Sequence, residues 1–127
     1  MPRKVATRSR RFEKYDVVCV HVEATDEASH EGRTDAKIEA LQRIDRDIVA
    51  PICEALAARG EPYRILITPD HPTPVRIKTH SHGAVPFTIA GHGVTPDAYN
   101  AYGETNAGQS PLSFEDGSKL MSWFLDS

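Results

Sequence analysis

The chain has 127 residues, 39% of them apolar and 26% charged, with a formal net charge of −3. These values describe one soluble globular domain with enough apolar residues to build a core. They argue against nucleic acid as a partner, because a phosphate-binding face carries a basic excess. They also exclude a membrane-spanning segment, since every apolar run is far too short.

Cys19 and Cys53 form no Cys-x-x-Cys pair. They read as buried free thiols in a reducing, cytoplasmic setting. The first fourteen residues form a basic leader or surface helix without the apolar core of a signal peptide. Tyr15–Glu23 (YDVVCVHVE) is almost continuously apolar from Val17 to Val22, the pattern of a strand covered on both faces. His21, alternating within it, reads as a core histidine. The acidic ATDEASHEG that follows is turn-prone and sits at that strand's carboxyl end.

Asp35 opens a helical pattern in which Ile38, Leu41, Ile44, Ile48, Ile52 and Leu56 form one stripe. Gly60 stops it, and Pro51 kinks or splits it. Tyr63–Thr68 is a second strand and Val85–Ala90 a third, with Val75–Lys78 a short extended piece between them. Thr95–Ser113 reads as loop, and Glu115–Leu125 closes the chain as a helix. This order predicts an α/β domain with a mainly parallel sheet flanked by helices, in which ligands gather at the carboxyl ends of the strands.

Three polar clusters fall just beyond strand ends: Asp26 with His30, the adjacent pair Asp70 and His71, and His80. Carboxylate oxygen mixed with imidazole nitrogen suits a divalent ion such as Zn²⁺ or Mn²⁺. The four-residue step from Asp26 to His30 sets both on one side of a turn. Taken singly, Asp26 also reads as a helix cap, Asp70-His71 as turn chemistry, and His30 and His80 as surface or structural histidines. Three clusters together are what favour a metal. His82 and His92 lack an acidic companion and read as solvent-facing.

The stretches HVEATDEASHEG and ITPDHPTPVRIKTHSHGAVPF resemble the metal-binding half of the archaeal-type cofactor-independent phosphoglycerate mutases, within the alkaline phosphatase superfamily. The resemblance implies that the chain is the carboxy-terminal portion of such a domain. It implies two divalent ions, Mn²⁺ or Zn²⁺ with Mg²⁺ or Co²⁺ as alternatives. Asp26, His30 and His80 match the ligands of one ion, Asp70 and His71 those of the other, and Lys78 a basic residue that contacts phosphate. The partner so implied is a small phosphorylated metabolite, 3- or 2-phosphoglycerate, interconverted through a phospho-Ser or phospho-Thr intermediate.

No residue matches the family's nucleophile, so no catalytic residue is assigned and the isolated chain is expected to be inactive. Unpaired strand edges point to self-association, or to a missing amino-terminal segment that completes the sheet. Two alternatives stay open. One is a non-catalytic metal-binding or interaction module. The other is a related phosphotransferase or phosphatase, including the proposed homoserine kinase branch.

Overall fold

A computed structural model describes residues 12–126. The basic leader lies outside this range except for Phe12, Glu13 and Lys14, which form a turn. Two compact units are present. The first runs to Glu61 and adds Thr73–Ser81; the second comprises Pro62–Pro72 and continues from His82.

In the first unit, α1 (Ala24–His30) forms where a polar turn is expected from the sequence. Asp26 and Glu27 stand in its first turn and His30 in its last, each on the side that the helix dipole favours. The helix ends in a Schellman motif: Gly32 N–H donates to Ser29 O at 3.0 Å and Arg33 N–H to Ala28 O at 2.9 Å. That motif needs a left-handed residue, and Gly32 has φ 71°. The buried Ser29 hydroxyl donates back to Thr25 O at 2.7 Å.

Helix α2 (Thr34–Ile44) packs on α1. It continues through a π-helical turn, Asp45–Val49, into α3 (Ala50–Ala58). Pro51 is the cause of the wide turn. It has no N–H for the Asp47 carbonyl one turn back, and Ala50 N–H reaches Asp45 O instead. The expected break is thus absorbed as a widened turn, and the helical run continues to the left-handed Gly60 (φ 68°). Of the predicted stripe, Ile52 and Leu56 are buried, whereas Ile38 and Leu41 are both 52% exposed.

Val17–Glu23 pairs with no strand among the described residues, contrary to expectation. Exposure nonetheless alternates along it: Val18, Val20 and Val22 are half-buried, while Val17, Cys19 and His21 face out. One apolar face is covered, and no described backbone runs alongside to make a ladder. Cys19 is therefore exposed, not buried, and His21 is a surface group 3.6 Å from Glu23 rather than a core histidine. Cys53 is half-buried, and its thiol is held above the ordinary value first by burial and then by the charges of Asp45 and Glu54. Because the thiolate is the reactive form, iodoacetamide is expected to label Cys19 first at pH 8, with Cys53 following only as the pH rises; peptide mapping of the alkylated chain checks this order.

In the second unit, β1 (Arg64–Ile67) and β2 (Thr88–Gly91) pair antiparallel, with Arg64 opposite Gly91 and Ile67 opposite Thr88. A mixed helix-and-strand architecture is present, but the only sheet among the described residues is this antiparallel pair, not a parallel one. Pro86 cannot donate to a ladder, so the third predicted strand begins at Thr88 instead of Val85. The segment expected to be loop contains a short helix, α4 (Glu104–Gln109). Tyr102 donates to Pro86 O at 2.8 Å, and burial pushes its hydroxyl above the usual range.

The last helix, α5 (Ser118–Asp126), starts later than the apolar pattern suggests. Asp116 fixes this start by accepting from both Ser118 N–H (3.1 Å) and Ser118 Oγ (2.7 Å). Phe87, Phe114 and Trp123 stack in sequence, with centroids 5.9 and 5.5 Å apart, and join the strand pair to this helix. The Ser118 hydroxyl, followed by its backbone N–H, lowers the Asp116 carboxyl below its ordinary value. A carboxyl depressed on folding adds stability above its unfolded value and loses it as pH falls through the folded one. Asp116→Asn is therefore expected to narrow the gap from wild type on acidification, read from melting curves between neutral pH and pH 3.

Candidate metal centre

One turn of α1 sets Asp26 and His30 side by side, and His80 reaches them from fifty residues along the chain. Asp26 Oδ2 lies 3.2 Å from His30 Nε2, Asp26 Oδ1 3.3 Å from His80 Nε2, and the two Nε2 atoms are 3.2 Å apart. Two donors on a tetrahedral Zn²⁺ ion, each about 2.0–2.1 Å from it, stand about 3.3 Å apart. Among the described residues these three form the group able to hold an ion, with one ligand atom from each within 4.8 Å of the others. Their side chains are 38%, 42% and 54% exposed for Asp26, His30 and His80. Solvent or a ligand can therefore reach the group.

The turn that delivers His80 is built by the proline-rich segment. Val75–Lys78, expected to be extended, is a turn instead, closed by Lys78 N–H to Pro74 O at 3.1 Å. Lys78 adopts the left-handed backbone, φ 56°, and its carbonyl stands 3.0 Å from His30 Nδ1. A carbonyl only accepts, so Nδ1 carries the proton and Nε2 of the neutral ring is left with a lone pair. That lone pair faces a carboxylate oxygen that also only accepts. Positive charge between them, from an added proton or a cation, resolves the conflict, and the donor set is one that divalent metals take. The residues fit a metal.

Two further groups complete this environment, and neither stands out in the sequence. The Thr73 hydroxyl donates to Asp26 Oδ1 at 2.8 Å, and Lys37 Nζ donates to Thr73 O at 3.0 Å. Gly32 leaves room for the Lys78 side chain, whose Cε would collide with a Cβ there. The period-3.6 pattern marks Lys37 only as a polar helix position, and Thr73 between two prolines reads as turn.

Asp70 and His71 belong to the second unit. Asp70 folds back on its neighbour, accepting from His71 N–H at 2.9 Å, with its other oxygen 3.4 Å from His71 Nε2. His82 and His92 are exposed, as expected. No helix among the described residues is long and apolar enough to cross a membrane.

Comparison with known proteins agrees with this chemistry. The family model of the metalloenzyme superfamily matches residues 3–119. A 2,3-bisphosphoglycerate-independent phosphoglycerate mutase of Methanothrix thermoacetophila is 40% identical over 118 residues, covering 93% of this chain and 30% of that protein. A probable enzyme of the same name from Geobacter sulfurreducens is 42% identical, covering 97% of this chain and 31% of its own length. The chain thus spans about a third of the length of these relatives. A solved protein of Pyrococcus horikoshii shares the fold, with a TM-score of 0.83 at 30% identity, over 97% of this chain and 36% of that one. The chain belongs to the metalloenzyme superfamily, and over most of its length it is similar to one portion of the cofactor-independent phosphoglycerate mutases.

Proposed function

We propose that the chain supplies metal-binding machinery for phosphoryl transfer between 3-phosphoglycerate and 2-phosphoglycerate. The convergence of Asp26, His30 and His80 within 4.8 Å supports this most directly. In this reading the three residues hold one divalent ion, Mn²⁺ or Zn²⁺, and Asp70 with His71 contribute to a second. When bound, the ions neutralise charge on a transferring phosphoryl group and acidify a hydroxyl nucleophile. His30, fixed as the Nδ1–H tautomer by Lys78 O, presents Nε2. Asp26 supplies the negative charge, and the exposed Lys78 ammonium contacts substrate phosphate. In this reading the transfer passes through a phospho-Ser or phospho-Thr intermediate; the chain spans about a third of the length of the relatives it matches.

A chimera tests the reading. The matching segment of the Geobacter sulfurreducens relative is replaced by this chain, and conversion of 3- to 2-phosphoglycerate is measured with Mn²⁺ present. Turnover is expected in the chimera, and a loss of at least 100-fold in its His80→Ala form. A soluble, metal-loaded chimera that hydrolyses an aryl phosphate but does not isomerise phosphoglycerate would move the assignment to a hydrolase.

A further inference from the structure

We infer that Thr73 is a positioning residue for Asp26, and that Lys37 sets Thr73 in place. The inference rests on the metal-ligand reading of Asp26. Thr73 is only 8% exposed, which is uncommon for a polar side chain. Its hydroxyl hydrogen is directed to Asp26 Oδ1 at 2.8 Å, while its carbonyl accepts from Lys37 Nζ at 3.0 Å.

The local sequence suits this task. Pro74 confines the residue before it to extended backbone, and Pro72 has a fixed φ of its own. Thr73 is therefore presented from a stiff Pro-Thr-Pro segment, and its β-branched side chain has few χ1 choices. Asp26, by contrast, projects from the first turn of a helix and is partly exposed. An aspartate in that position can turn its carboxylate toward solvent. A charge-assisted bond from a buried, stiff hydroxyl selects the orientation in which the carboxylate faces the two imidazoles. Lys37, on α2, anchors the segment from the other side through an ammonium-to-carbonyl bond. Residues that orient a ligand in this way commonly change metal affinity by about 10–100-fold.

The experiment is a Co²⁺ and Zn²⁺ titration of the full chain, followed by calorimetry and by the visible Co²⁺ spectrum. The variants are Thr73→Val, Thr73→Ser, Lys37→Met and Asp26→Ala, with circular dichroism of each metal-free chain. Thr73→Val, which keeps the shape and removes the hydroxyl, is expected to weaken binding roughly 10–100-fold and shift the Co²⁺ bands. Thr73→Ser is expected to restore both, and Lys37→Met to weaken binding by a smaller factor.

Wild-type affinity in Thr73→Val, with binding lost in Asp26→Ala, overturns the inference and leaves the metal reading intact. Equal losses in Thr73→Val and Thr73→Ser also overturn it, since the effect would then be packing and not the hydroxyl. Wild-type affinity in Lys37→Met removes Lys37 from it. Unchanged binding in Asp26→Ala overturns the metal reading itself.

Discussion

Asp26→Ala is expected to abolish the rise in melting temperature that Zn²⁺ or Mn²⁺ produces in the wild-type chain. An ion that binds only the folded state at about 100 times its Kd adds about 2.7 kcal/mol. For a chain of this size that corresponds to an upward shift of roughly 10 °C. Asp26 is the critical residue because both of its oxygens are engaged, Oδ1 toward His80 and Thr73 and Oδ2 toward His30. Removing it takes away the one carboxylate of the three-residue cluster and leaves two imidazoles. His80→Ala leaves the helical pair Asp26 and His30 in place and is expected to reduce the shift without eliminating it. Asp70→Ala, altering a pair in the other unit, is expected to lower the number of ions bound while preserving the response that depends on Asp26. Differential scanning fluorimetry with and without metal, alongside metal analysis, reads all three. Equal shifts in wild type and Asp26→Ala would remove Asp26 from the metal site.

The parts of this site that were legible in the sequence are those encoded locally. A step of four residues sets Asp26 and His30 on one side of a turn, and the structure makes that turn a short helix, which the acidic, polar composition of the segment does not announce. Gly60 stops α3 because the residue after the helix cap needs positive φ. His80 was legible through its motif, not through spacing, because what brings it to His30 is the backbone of Val75–Lys78. That turn depends on a left-handed Lys78, which no propensity favours. Thr73 and Lys37 were not legible, since their roles exist only once Thr73 meets Asp26 on α1 and Lys37 on α2. The sheet was misread for a related reason. Apolar β-branched runs report burial, but pairing direction belongs to two segments jointly. Tyr15–Glu23, whose continuous apolar run predicts cover on both faces, is covered on one face only and joins no ladder among the described residues, and the strand that follows Pro86 enters an antiparallel pair. Pro51 shows the opposite case, where a local rule was right about the defect and silent about the remedy, a π-helical turn.

Gly91→Ala and Gly32→Ala introduce the same methyl group at two left-handed positions, φ 118° and 71°, yet they are expected to differ widely in cost. At Gly32 the new Cβ meets the outer carbons and ammonium of Lys78, and a long exposed side chain can swing away. What remains is the backbone penalty, about 1–2 kcal/mol. At Gly91 the new Cβ would overlap the Tyr63 carbonyl oxygen and approach Arg64 Cα to 2.9 Å. Those are backbone atoms at the start of β1, and Tyr63 O already accepts from His92 N–H at 2.8 Å. Relief requires the strand pair to separate where Arg64 faces Gly91. Overpacking of about 1–3 kcal/mol then adds to a comparable cost for the strained backbone. Gly91→Ala is accordingly expected to lose most of the second unit's stability, seen as early loss of Trp123 fluorescence change on urea titration, with the Zn²⁺-dependent shift of the first unit retained. Gly32→Ala is expected to melt only a few degrees lower but to bind metal more weakly, because displacing Lys78 disturbs the carbonyl that fixes the His30 tautomer. If the two variants prove equally stable, the close approach of β2 to the Tyr63 backbone is not a constraint on the fold.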